Sequence, residues 1–114
     1  MKKGKNCRIS KNAIIEKGAI IGNNCIIEGS SHIFSNAKIE NSTIVNSIIK
    51  EKAIITNSVI TDSFVDEKTS VGPYSHIRGN AKIGKECEIG NFVEIKNCQI
   101  GDRTKACHLA YLGD

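Results

Sequence analysis

A chain of 114 residues is enough for one domain and too short for two. Hydrophobic residues make up 39% but aromatics only 4%, which excludes a spherical core filled by large rings and leaves isoleucine to supply the volume. The net charge of +4 is spread along the chain apart from Lys2, Lys3 and Lys5, with no basic stripe interleaved with aromatics, so nucleic acid is not an expected partner.

Residues 1–8 read as a basic lead-in. From Ile9 a branched aliphatic returns every sixth residue and at intervals every fifth, through Ile15, Ile21, Ile27, Ile33 and Ile39, then Ile44, Ile49, Ile55, Ile60, Val65, Val71, Ile77, Ile83, Ile89, Ile95 and Ile100. A solenoid requires such a repeat, because each coil presents the same inward position to the coil beneath it. The first turns are ISKNAI, IEKGAI, IGNNCI, IEGSSH and IFSNAK, with a small residue at the fifth position and Gly, Asn or Lys between. Short extended segments therefore alternate with tight corners.

Residues 39–43 and 44–48 are five-residue turns followed by a six, and 55–59 and 60–64 repeat that arrangement sixteen residues on. Ile48, Val59 and Phe64, at the ends of short turns, are expected to pack inward at the altered corner. The sixes then resume as VGPYSH, IRGNAK, IGKECE and IGNFVE, and IKNCQ is a further short turn. Pro73 falls within a corner, where its missing N–H costs little. Three turns make one coil of a three-sided column, so residues 9–114 are read as a single all-β domain, a parallel β-helix of about five to six coils and roughly 27 Å in height at the usual spacing between paired strands.

Neither a membrane-spanning apolar stretch nor the apolar core of a signal peptide is present, and no membrane partner is expected. Cys7, Cys25, Cys87, Cys98 and Cys107 are odd in number and show neither Cys-x-x-Cys nor zinc-ligand spacing. Free thiols in a reducing cytoplasm are the expected state. His32, His76 and His108 lack the histidine spacing of γ-class carbonic anhydrases, and no metal site is assigned to them.

The last third of the chain contains three motifs in order: G-P-Y-S-H-I-R, I-G-N-F-V-E-I-K and T-K-A-C-H-L-A-Y-L-G-D. Together they resemble the acetyltransferase domain of the bacterial bifunctional N-acetylglucosamine-1-phosphate uridyltransferase/glucosamine-1-phosphate N-acetyltransferase family. The repeat as a whole resembles the hexapeptide-repeat family, and that resemblance implies left-handed winding. It also implies acetyl transfer from acetyl-CoA, as co-substrate, to the amino group of glucosamine 1-phosphate, within UDP-N-acetylglucosamine synthesis for the cell wall, and assembly as a homotrimer.

By the same resemblance His108 is the general base, Arg78 and Lys96 hold the phosphate, and Tyr111 contacts the sugar. The chemistry suits these residue types. An imidazole accepts a proton near neutral pH, a guanidinium grips phosphate oxygens in pairs, and an ammonium acts as a point charge. Arg78 and Lys96 are eighteen residues apart, one coil, so the pair is expected on a common corner, near His108. Each residue also has a plainer reading, as a corner histidine, two solvated cations or an interface tyrosine.

Where the family carries Arg-Pro-Gly, this chain has Arg78-Gly79-Asn80, which is expected to loosen that corner. The resemblance places further coils beyond Asp114, which supply an asparagine and most acetyl-CoA contacts. It assigns magnesium only to the uridyltransferase domain, for which no glycine-rich loop with a βαβ pattern appears here. On that basis the chain is expected to be a fragment of the bifunctional enzyme. The alternative is a non-catalytic β-helical scaffold or oligomerisation piece.

Overall fold

The structure, a computed structural model, describes residues 1–113. Twenty short strands wind into a column with three flat parallel sheets, two of seven strands and one of six. The column measures 32 × 21 × 20 Å. The seventeen aliphatic anchors each sit on one strand. Three further strands, Lys2–Lys3, Lys105–Ala106 and Ala110–Gly113, bring the column to about seven turns, more than the repeat alone gives. The residues of these strands in register with the buried Ile21, Ile89 and Ile95 are Lys3, Ala106 and Leu112, and none is a β-branched aliphatic that could mark the period.

Alternation along each strand builds the core. Ile27, Ile44, Ile60, Ile77 and Ile95 stand directly above one another on the second sheet and have no solvent exposure. Burying each contributes on the order of 1.5–3 kcal/mol. The residues that alternate with them point outward, so most strands offer one side chain to the core and one or two to a face, and Val93–Lys96 offers two, Val93 and Ile95.

The corners explain the two turn lengths. In several six-residue turns the fifth-position alanine closes the bend with its own backbone, as when Ala19 N–H donates to Glu16 C=O at 3.2 Å and Ala53 N–H to Lys50 C=O at 3.3 Å. In four of the five five-residue turns a buried serine does this work, and in IKNCQ the position is Cys98. Ser58 Oγ donates to Thr56 C=O at 2.8 Å and accepts the N–H of Ser75 from the next coil at 3.1 Å, while Ser58 N–H donates to Ser42 Oγ at 3.1 Å. Ser47 and Ser63 repeat the arrangement on the next corner. Each hydroxyl replaces the acceptor that the deleted residue would have supplied, and leaving such a buried N–H unpaired would cost about 1–3 kcal/mol.

This corrects the expectation for Ile48, Val59 and Phe64. Ile48 and Val59 are each 38% exposed and Phe64 is half-buried, all at outward strand positions. The short corner leaves no inward slot for a large side chain, because the serine hydroxyl already occupies the bend.

Most bends use residues with positive φ. Along the corner between the first and second sheets these are Asn6, Asn24, Asn41 and Asn57, then Tyr74, Phe92 and Leu109. Asparagine tolerates this conformation and forms a side-chain ladder there, with Asn24 Nδ2 donating to Asn41 Oδ1 at 2.9 Å. Bulky residues do not favour it, so the change from asparagine to Tyr74, Phe92 and Leu109 runs against local backbone preference.

Candidate active site

The change of residue type on that corner coincides with the C-terminal half of the second sheet, where every singled-out residue lies. Its strands there are His76–Arg78, Val93–Lys96 and Ala110–Gly113. Arg78 is the register partner of Lys96, and Lys96 of Gly113. The two cations therefore stack one coil apart at the C-terminal edge of the face. In the neighbouring outward column, His76, Glu94 and Tyr111 are stacked in the same way.

Arg78 is held before any ligand arrives. Its Nε–H donates to Glu94 Oε2 at 2.6 Å. Both side chains are more than a third exposed, so the pair adds little stability, but it fixes the plane of the guanidinium and leaves the Nη donors unused by Glu94. The bend after Arg78 is formed by two left-handed residues, Gly79 at φ +66° and Asn80 at φ +64°. Proline, locked near −65°, could not take the Gly79 conformation. A Cβ on Gly79 would come within 3.3 Å of Lys96 Cγ, so the glycine also leaves room for the lysine stem. Backbone hydrogen bonds pin this bend from both sides, Asn97 N–H to Arg78 C=O at 3.1 Å and Asn80 N–H to Asp62 C=O at 2.8 Å.

Tyr111 leans along its strand toward the cation column. A Cβ on Gly113 would meet Tyr111 Oη at 2.5 Å, so the ring lies across that glycine. Between Tyr111 and the corner runs an open trough of about 410 Å³, bordered by His76, Glu94, Phe92 and Leu109. The rings of Tyr74 and Phe92 stack with centroids 5.5 Å apart.

His108 occupies the opposite edge of the same face. It forms the bend into the Ala110–Gly113 strand with φ 71°, followed by Leu109 at φ 49°. Gly90 makes room for this bend, since a Cβ there would lie 2.9 Å from Cys107 Cα. His108 Nδ1 is 2.6 Å from Asn91 Oδ1. Arg78 and Lys96, expected on a common corner near His108, are register partners at one edge, and His108 lies on the same face at the other. His108 lies in the bend before the Ala110–Gly113 strand, whereas Gly113, the register partner of Lys96, lies at the strand's far end.

Sequence reasoning passed over Glu94, Asn91 and Gly90, though all three belong to the second motif. The signal was the outward alternation of Glu94 and Lys96 around inward Ile95. Cys107, next to His108 in the chain, is exposed, whereas Cys25 and Cys87 are buried. Burial pushes the Cys25 thiol above its ordinary range and keeps it protonated, so it is not a nucleophile.

The repeat and the column define a hexapeptide-repeat β-helix. Residues 4–35 and 62–97, together more than half of the chain, match the family described as bacterial transferase hexapeptide (six repeats), and the chain belongs to that family. It is 46% identical over 107 residues to the bifunctional protein GlmU of Clostridium botulinum, covering 93% of this chain and 22% of that protein. To the bifunctional protein GlmU of a Nostoc species it is 41% identical over 106 residues, again covering 93% and 22%. The chain therefore spans about a fifth of the length of the curated relatives it matches.

Solved structures show the same fold. GDP-perosamine N-acetyltransferase from Caulobacter crescentus, in complex with CoA and GDP-perosamine, superposes with a TM-score of 0.74 at 12% identity, covering 90% of this chain and 54% of that one. AntD, an N-acyltransferase from Bacillus cereus in complex with dTDP and coenzyme A, gives 0.64 at 21%, covering 88% and 74%. No helix among the described residues is long and apolar enough to cross a membrane.

Proposed function

We propose that the second face carries the acceptor half of an acetyl-transfer site, which binds glucosamine 1-phosphate for acetylation of its 2-amino group. The observation that supports this most directly is the stacking of Arg78 on Lys96 in register, on the same face as His108. A phosphate dianion needs more than one cationic donor, and two adjacent coils provide them at one edge. The phosphate and the amine are on adjacent carbons of the sugar, so the long Arg78 and Lys96 side chains extend from that edge over the face to hold the phosphate, with the sugar over Tyr111 and its amine toward His108.

Acetyl-CoA supplies the acetyl group. His108 accepts the proton that the amine loses as it attacks the thioester carbonyl. The carbon–sulfur bond breaks, and the thiol leaves with the bonding electrons and a proton. The product, N-acetylglucosamine 1-phosphate, is a precursor of UDP-N-acetylglucosamine, and the 41–48% identity to GlmU proteins supports that assignment.

Calorimetric titration tests the acceptor half. Glucosamine 1-phosphate binds the chain, unphosphorylated glucosamine does not, and Lys96→Ala or Arg78→Ala weakens binding about 10-fold or more, as expected for a charge-assisted contact. Equal affinity for the two sugars would refute this reading.

A homotrimer is part of the same reading. Its support is the ridge of Tyr74, Phe92 and Leu109, which are 56%, 55% and 82% exposed. A solvated corner would be served by more asparagines, whereas large apolar residues in a disfavoured conformation suit a protein contact. Light scattering should give three times the chain mass, and Phe92→Lys should reduce it. A wild-type monomer at high concentration would exclude the trimer. The ridge would equally serve a non-catalytic scaffold, and replacing His108 distinguishes the two.

A further inference from the structure

We propose that Asn91 is a positioning residue for His108: its carboxamide oxygen takes the Nδ1 proton, so that Nε2 faces outward with a free lone pair. The role in catalysis rests on the function proposed above, but the contact itself does not. Ala110 pairs with Val93, and continuing that register back by two residues places His108 over Asn91. The two side chains meet at 2.6 Å, Nδ1 to Oδ1. An amide oxygen has only lone pairs to offer, so the imidazole nitrogen facing it must carry the hydrogen. In a neutral ring the other nitrogen, Nε2, is then the acceptor.

This matters because free neutral histidine in water favours the opposite tautomer, with the proton on Nε2. A general base in that form presents a donor to the amine and cannot take its proton. A fixed acceptor at Nδ1 removes that form, as the buried aspartate of a serine-protease triad does, with the difference that asparagine adds no charge. The surrounding chain is arranged around the contact. Asn91 C=O also accepts Leu109 N–H at 3.2 Å, so one residue holds both members of the left-handed His108–Leu109 pair. Two consecutive non-glycine residues in that conformation are disfavoured and persist only where neighbours hold them. Gly90, just before Asn91, gives the bend its clearance.

The experiment is a long-range ¹H–¹⁵N correlation spectrum of the uniformly labelled chain at a pH where the imidazoles are neutral. His32 supplies an internal contrast, because its Nε2 faces Glu16 Oε2 at 2.7 Å and so carries the proton on that nitrogen. The wild-type spectrum should show His108 protonated on Nδ1. Asn91→Ala should move the proton largely to Nε2, Asn91→Asp should retain it on Nδ1, and the His32 signals should stay in place in both. Unchanged backbone amide shifts along Val93–Lys96 and Ala110–Gly113 show that the variants keep the fold around the contact.

A wild-type His108 protonated on Nε2, or an Asn91→Ala spectrum identical to wild type, would overturn the proposal. Acetyl transfer provides a second readout: Asn91→Ala should lower kcat about 10-fold or more, with KM for glucosamine 1-phosphate unchanged, and Asn91→Asp should restore much of it. If the tautomers behave as described and no variant, wild type included, transfers acetyl, the Asn91 contact stands and the proposed function falls.

Discussion

On the proposed function, replacing His108 by alanine should lower acetyl transfer to glucosamine 1-phosphate by about 10³-fold, within the range a general base contributes. Thiol release from acetyl-CoA measures it. Affinity for the sugar phosphate, read by calorimetry, stays within about twofold, because Arg78 and Lys96 lie at the other edge of the face and are not touched. This split follows from the geometry. The phosphate contacts hold ground state and transition state alike, whereas proton acceptance by Nε2 matters only as the amine attacks. Thiol release that is indifferent to His108 would make the chain a scaffold with relic side chains.

Ile60→Ala destabilises the column by about 3–5 kcal/mol, at the upper end for loss of a buried aliphatic. Ile60 has no exposure and stands between Ile44 and Ile77 in the axial stack. The backbone cannot close over the gap, because its strand is hydrogen-bonded to the coils on either side at fixed spacing. In a solenoid each coil is stabilised chiefly by its two neighbours, so a weak central coil uncouples the two ends. Ile9→Ala, at a partly buried site in the first coils, should cost less than half as much. Denaturant titration gives both values. Hydrogen exchange should show protection lost around Ile60 in the central variant and only near the N-terminus in the other. Equal losses for the two variants would contradict a nearest-neighbour column.

The relation between sequence and site is uneven, and particular residues show why. Arg78 and Lys96 could be paired from the sequence because eighteen residues is one coil and both follow an inward aliphatic, Ile77 and Ile95. His108 could not be placed in the same way. Its turn is anchored by Ala106 and its bend has two left-handed residues, so counting from the last branched aliphatic loses the strand position. Glu94 and Asn91 were invisible because their partners, Arg78 and His108, are 16 and 17 residues away and become neighbours only when adjacent coils are stacked.

By itself the sequence determined the inward set. A β-branched residue at every fifth or sixth position can be buried only if the chain turns at each interval, so the column, its parallel pairing and its three faces follow from the period. The outward set was decided by the tertiary structure. Solvent accepts nearly any side chain at an outward position, so the pattern there carries little information until the coils are laid on one another. Only then do Glu94 meet Arg78, Asn91 meet His108 and Tyr111 cross Gly113, and only then does it appear that the cations and the histidine border one face from opposite edges.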